Sequence, residues 1–273
     1  MSITTHIREL FQPIQPTVSK TNGNVTYVEF LPSTNLQQYI YCYWQLKTNE
    51  RLVNPFSYKV VSDGCIDILF EINTPQDNFV AGFCRKYTEY ELNPEFNYVG
   101  IRFLPTIFPQ IFKVNASELS NKFQSLEDFA PKTSQFIAQH FYSEMTINEI
   151  KVSFDSYFQG VLKKITFDYD SRLYNAIDVI LKNYGVLNLE KDIDVGLSIR
   201  QLRRLFQFYI GDSPKVFSKV VQFQNILKAK PSNQSLNQNK LFYDTGHYDQ
   251  SHFIKDFKTF YGVTPTKAFS NDY

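Results

Sequence analysis

The stretch Gly246-His247-Tyr248-Asp249-Gln250-Ser251-His252-Phe253-Ile254-Lys255-Asp256-Phe257-Lys258, continued by Phe260, Gly262, Thr264 and Pro265, decides how this chain reads. Its grammar is that of a turn followed by a helix. Gly246 can supply the positive φ of a tight interhelical turn, and Asp249 is a good N-cap because its carboxylate can accept from the free amides of a first helical turn. Phe253, Phe257 and Phe260 then recur at i, i+4 and i+7 as one apolar stripe, and Gly262 and Pro265 stop the helix. The opposite face carries Gln250, Ser251, His252, Lys255 and Lys258. Amide and cationic side chains on a short helix with an aromatic base suit a DNA-reading helix, since they bond base edges and phosphates. The same spacing also describes an ordinary amphipathic surface helix.

The pattern occurs a second time, its cap 51 residues upstream. Gly196 makes the turn, Ser198 the N-cap, and Leu202, Leu205, Phe206 and Tyr209 the inward face, leaving Arg200, Arg203 and Arg204 outside. This unit closes in Gly211-Asp212-Ser213-Pro214, as the later one closes in Gly262-Val263-Thr264-Pro265. Between them Val216, Val220, Phe223 and Leu227 space out a linking helix that Pro231 ends, and a polar stretch 232–239 follows. Ahead of both, Ser171 to Tyr184 reads as a helix capped by Ser171, with Leu173, Ile177, Ile180 and Leu181 as its core face.

The rest of the chain has a different period. Residues 1–24 are polar and broken by Pro13, Pro16 and Gly23, which predicts an extended or mobile lead-in. Residues 25–125 read as a β-rich domain: Val25 to Phe30, Tyr58 to Val61, Ile66 to Ile72, Phe79 to Phe83 and Tyr98 to Phe103 are strand-like, with one helix expected at Leu36 to Tyr43. After Pro105 the period moves towards that of helices, expected at Thr106 to Val114, Ala116 to Phe123, Leu126 to Phe141 and Ile147 to Ile165. Residues 126–170 form a helical connector, Phe167-Asp168-Tyr169-Asp170 mark the boundary, and 171–273 form an all-α domain. The fold class is α+β, with a small barrel-like, cupin-like domain lacking a metal, then helices, then two helix-turn-helix units.

Composition narrows the function classes. With 26 Phe and 18 Tyr in 273 residues the chain builds a packed core. No apolar run is long enough to span a membrane, and Met1 to Leu10 lack a signal-peptide pattern, so a soluble cytoplasmic protein is expected. Cys42, Cys65 and Cys84 fit neither a disulfide framework nor a zinc set and read as buried reduced thiols. The net charge of +1 conceals an asymmetry: residues 171–273 carry 14 Lys and Arg against 9 Asp and Glu, a net of +5, whereas residues 1–170 carry 14 against 18, a net of −4. The C-terminal part is therefore the one suited to a polyanion.

Enzyme chemistry finds little support. His6, His140, His247 and His252 form no cluster of metal ligands, and no P-loop, G-x-S-x-G or dinucleotide fingerprint occurs. Asp63 and Asp67 could form an acid/base pair, but Ser62-Asp63-Gly64 reads better as a turn. Catalytic residues, metal and cofactor are all expected to be none. Trp44 with Tyr41, Tyr43, Phe70, Phe83 and Phe103 could line a ligand pocket, although aromatic strand residues are first of all core residues.

Two helix-turn-helix units joined by a helix, each closing in G-x-[ST]-P, resemble the DNA-binding domain of the AraC/XylS family of transcription regulators. The N-terminal half resembles a sensor domain often found before it, through Tyr43-Trp44, Ser62 to Phe70, Gly82 and Gly100 to Pro105. The resemblance implies a regulator that reads two adjacent major-groove segments of double-stranded DNA, through Arg200, Arg203 and Arg204 in the first unit and Gln250, Ser251, His252 and Lys255 in the second. It is compatible with RNA polymerase, a small-molecule effector and a second copy of the chain as partners, with no role for a membrane. The sequence departs from the family pattern at Lys191-Asp192, where a Leu-Ala pair is usual, and at Gln222 and Ile226, where Arg and Ala are usual. These departures keep a second reading open, a protein-interaction module with weakened DNA readout.

Overall fold

The computed structural model describes residues 3–16, 23–229 and 250–269. Gly246, His247, Asp249, Pro231 and the stretch 232–239, all used in the sequence argument, lie outside the described residues.

The N-terminal half is built on strands β1 (Val25–Phe30), β2 (Ile40–Thr48), β3 (Phe56–Val60), β4 (Ile66–Glu71), β5 (Asn78–Ala81), β6 (Thr88–Leu92), β7 (Asn97–Phe103) and β8 (Phe123–Ser125). Six of them form an antiparallel sheet in the order β1-β2-β7-β4-β5-β8, and β3 pairs with β6 as a separate two-stranded sheet. Alternation in β4 decides which side is which: Ile66, Ile68 and Phe70 join the helix-covered core, while Asp67 and Leu69 point to the other face. The centre of the sheet is set by a register pair, Trp44 opposite Gly100. The indole lies where a Cβ on residue 100 would come within 2.2 Å, so only glycine fits there.

Helices α2 (Ile107–Phe112), α3 (Pro131–His140) and α4 (Ile147–Leu162) cover one face of the sheet. Phe154 and Phe158 of α4 pack against Tyr43, Phe70 and Phe103 of the strands, with ring centroids between 4.9 and 6.3 Å. Helix α4 begins in a capping box between Thr146 and Glu149.

Several expectations are corrected here. The helix expected at Leu36 to Tyr43 is a turn followed by the start of β2, because a run of Tyr and Trp flanked by β1 and β7 pairs on both sides. The helix expected at Ala116 to Phe123 is one 3₁₀ turn, Ala116–Glu118. Asn121 then takes a left-handed conformation (φ 57°), and β8 adds to the edge of the sheet. The segment Leu126 to Phe141 divides into a 3₁₀ turn, Leu126–Asp128, and α3 with Pro131 in its first turn.

The lead-in also differs from expectation. Ile3–Leu10 is a helix, α1, and Ile7 and Phe11 are both 2% exposed. His6 pairs with Asp178 of α5 (Ser171–Lys182) at 2.7 Å, and Arg8 donates to the carbonyls of Gln37, Ile40 and Tyr41. The N-cap of α5 is Asp170, which accepts from the Arg172 amide at 3.0 Å, and not Ser171 as expected.

The C-terminal helices are α5, α6 (Leu189–Asp192), α7 (Ile199–Tyr209), α8 (Pro214–Ala229), α9 (Gln250–Tyr261) and α10 (Pro265–Phe269). Their core includes Ile7, Phe11, Val61, Cys65 and Phe83 from the N-terminal half. Apolar packing is therefore continuous across the position where the sequence suggests a boundary.

Candidate nucleic-acid interface

The first unit starts at Asn188, whose side chain accepts from the amides of Glu190 and Lys191 at 3.1 and 3.3 Å. Asp192 returns the bond by accepting from the Asn188 amide at 2.6 Å, so the unusual Lys191-Asp192 pair closes a single exposed turn. Ser198 caps α7 in a full capping box: its hydroxyl accepts from the Gln201 amide at 3.3 Å, and the Gln201 side chain accepts from the Ser198 amide at 2.9 Å. Leu202 and Phe206 are buried, at 2% and 0% exposure, with Phe206 against Phe217 of α8. Leu205 and Tyr209 are only half-buried. Arg200, Arg203 and Arg204 are exposed and form no ion pair among the described residues.

The second unit repeats the packing on α8. Phe253, Phe257 and Phe260 of α9 are buried, and Phe223 of α8 meets Phe257 and Phe260 with ring centroids 5.5 and 5.3 Å apart. Gln250 opens the helix, and Ser251, His252, Lys255 and Lys258 are exposed. Ile226 is 3% exposed and fills the core of the linking helix. Gln222 lies under the turn after α5, where a Cβ on Gly185 (φ 74°) would stand 2.7 Å from the Gln222 amide nitrogen.

Both α7 and α9 are held at their C-terminal ends by residues ahead of α5. Arg85 pairs with Asp212, Ser120 donates to the Gly211 carbonyl, and Tyr209 donates to Asp168 at 3.2 Å. In the second unit the Tyr87 amide donates to the Thr259 carbonyl at 3.1 Å, the Ser62 amide reaches the Phe260 carbonyl at 3.4 Å, and the Tyr87 ring lies over Gly262. Gln224 of the linking helix donates to the Ser62 carbonyl at 2.7 Å. Nothing in the spacing of these residues pointed to this docking, because each partner lies far away in the chain.

The other sequence candidates separate. Asp63 accepts from the Cys65 amide at 3.0 Å with Gly64 at φ 78°, so it forms the expected turn. It also meets Asp67 at the guanidinium of Arg102, 3.3 and 3.1 Å from the two carboxylates, with Glu29 at 3.2 Å. Burial pushes Asp67 up to about 6, against the pull of Arg102. Of the six aromatics considered for a pocket, Trp44 lines a cavity, while Tyr43, Phe70, Phe83 and Phe103 are fully buried in the cores. Cys42 and Cys65 are buried thiols, whereas Cys84 is half-buried and lines the same cavity. Among the described residues no helix is long and apolar enough to cross a membrane.

Comparison with known proteins bears on both halves. Residues 28–125 match a domain of unknown function (DUF6597), and residues 194–271 match a helix-turn-helix domain that takes in α7, the linking helix and α9. The C-terminal part of the chain is therefore a helix-turn-helix domain. The chain aligns over 161 residues, at 28% identity, with the 15,16-dihydrobiliverdin:ferredoxin oxidoreductase of Prochlorococcus marinus (strain AS9601). The alignment covers 56% of this chain and spans 58% of that relative's length, and it lends no activity to this chain. Among solved structures, ToxT from Vibrio cholerae O395 is similar at 16% identity over 90% of this chain and 95% of its own, with a TM-score of 0.39. An apo ToxT variant from Vibrio cholerae strain SCE256 is similar at 14% identity over 90% and 96%, with a TM-score of 0.40. Both likenesses are distant.

Proposed function

We propose that the chain regulates transcription by binding duplex DNA in a sequence-specific way, with α7 and α9 entering two adjacent segments of the major groove. The observation that carries this is the pair of helices set on one linking helix, each with exposed polar and cationic side chains at its N-terminal part. Arg200, Arg203 and Arg204 can fork onto guanine O6 and N7 or neutralise phosphate; Gln250 suits adenine N6 and N7; Ser251, His252 and Lys255 add hydrogen bonds and charge. Two such helices about one DNA turn apart, roughly 34 Å, would require a bent site or bend it, since the linking helix fixes their relation. The N-terminal domain, docked on the closing turns of both units, is the element through which an effector or a partner would act, and RNA polymerase and a second copy of the chain are the partners such a regulator would take.

The test is selection of sites from a genomic DNA library with the full-length protein, then titration of Gln250→Ala and Lys258→Ala on the enriched site. Enrichment of a defined sequence is expected, with Gln250→Ala losing base preference and Lys258→Ala losing only general affinity. Selected sites bound no better than scrambled DNA would overturn the reading. That outcome would favour the protein-interaction module, whose supporting observation is the single exposed turn of α6, with no buried residue.

A further inference from the structure

Between the six-stranded sheet and the β3–β6 pair lies a cavity of about 340 Å³, a size that holds a small organic molecule. Trp44, Leu46, Leu69, Tyr90, Tyr98 and Phe123 supply much of its wall. Tyr58 lines it as well, only 9% exposed.

One end of the cavity is charged. The Arg102 guanidinium is shared between Asp63 and Asp67, at 3.3 and 3.1 Å, which line the cavity with it, and Glu29, at 3.2 Å, which is 33% exposed and does not line it; within the wall this cluster sets one positive charge against two negative. Arg102 is 3% exposed and Asp63 and Asp67 are 12% and 13% exposed, so solvent does little to compensate the excess. Such an end attracts a cation and repels an anion.

We propose that this cavity binds a small amphiphile made of a protonated primary amine on an apolar or aromatic body. The ammonium would stand against the carboxylates of Asp63 and Asp67, the body would lie on the rings of Trp44 and Tyr90, and the Tyr58 hydroxyl supplies a further polar contact.

The segments that wall the cavity are those that grip the reading helices. Val61, Asp63 and Cys65 line it, while Ser62 between them bonds Phe260 and Gln224, and Gly64 lies against Phe217 and Val220. Gly82 and Cys84 line it too, and Arg85 and Tyr87, just beyond, hold Asp212 and Thr259. An occupant therefore acts on both units at once, and for this consequence the inference rests on the DNA-reading function proposed above.

Trp44 is the single tryptophan of the chain, so its fluorescence reports the cavity directly. The full-length protein is titrated with phenethylammonium, phenethyl alcohol and hydrocinnamate, which share a body and differ in the charge of the head. The expected result is saturable binding of the ammonium, at least about tenfold weaker binding of the alcohol and none of the carboxylate. Asp67→Asn should weaken the ammonium by at least about tenfold, and Ala81→Phe, which fills the space without touching the charges, should abolish binding, both with the parent circular dichroism. No saturable change with the ammonium, or equal or tighter binding of the alcohol or the carboxylate, overturns the proposal. At saturating phenethylammonium the affinity for selected DNA should change by about fivefold or more; binding with unchanged DNA affinity overturns the effector role. Because the fluorescence titration contains no DNA, failure of DNA reading leaves its outcome intact.

Discussion

At the residue scale the most constrained group is Arg102, which holds three carboxylates in an apolar surrounding. Asp67 pays part of that cost. It faces Arg102 on β7, Trp44 and Cys42 on β2, Glu29 on β1, Asp63 in the turn and Tyr58 on β3, and burial raises it from the ordinary 3.8 to about 6. A raised folded-state pKa means that the fold favours the protonated acid, so this contribution to stability is full below about pH 4 and is lost as pH rises through about 6. Asp67→Asn lacks that loss. Denaturant unfolding of parent and variant should show the difference in stability shifting in favour of Asp67→Asn between about pH 4 and about pH 7. A difference that stays flat across this range would rule out the assignment.

At the scale of elements, α7 and α9 are each set by a local feature and a shared neighbour. Helix α7 depends on the reciprocal bonds of Ser198 and Gln201, while α8 supplies a shared wall of Phe217 and Phe223 for both units. Ser198→Ala removes the hydroxyl that accepts from the Gln201 amide and should cost about 1 kcal/mol of stability, measured by urea unfolding. Because Arg200, Arg203 and Arg204 lie in the first turns of α7, the same variant should also weaken DNA binding. Unchanged stability would show that the cap bond is not formed in solution.

For the whole molecule, two consequences follow from charge and from the shared core. With a net of +5 on residues 171–273, DNA affinity should fall steeply with salt, by a slope of about −0.9 in log–log terms for each phosphate contact. Lys258→Ala, if Lys258 meets a phosphate, should lower that slope by about one unit, and an affinity independent of salt would exclude phosphate binding. The core that unites α1, the Val61–Cys65 turn, Phe83 and the C-terminal helices should make the chain unfold as one unit. Trp44 fluorescence, which reports the strand-rich half, and helical circular dichroism should then give coincident transitions; separate midpoints would show two independent units.

Local chemistry was enough to place α7 and α9. Five strands, α4, α5, α7, α8 and the apolar stripe Phe253, Phe257 and Phe260 were legible from periodicity, and Ser198 from its capping pattern, because each depends on neighbours within a turn or two. The exposed Arg200, Arg203, Arg204, Ser251, His252 and Lys255 were legible for the same reason. The folding of Ile3–Leu10 onto α5, the replacement of a helix at Leu36 to Tyr43 by a central strand, and the union of Asp63 and Asp67 at Arg102 depended on partners tens to more than a hundred residues away. The same holds for the cavity, whose walls come from seven strands of two sheets. Sequence by itself determined the position and the outward face of α7 and α9, since helical spacing and capping are local. Only the tertiary structure decided what grips their ends and which charges share one buried site, since pairing across a sheet and packing between layers are set by contacts that no local pattern encodes.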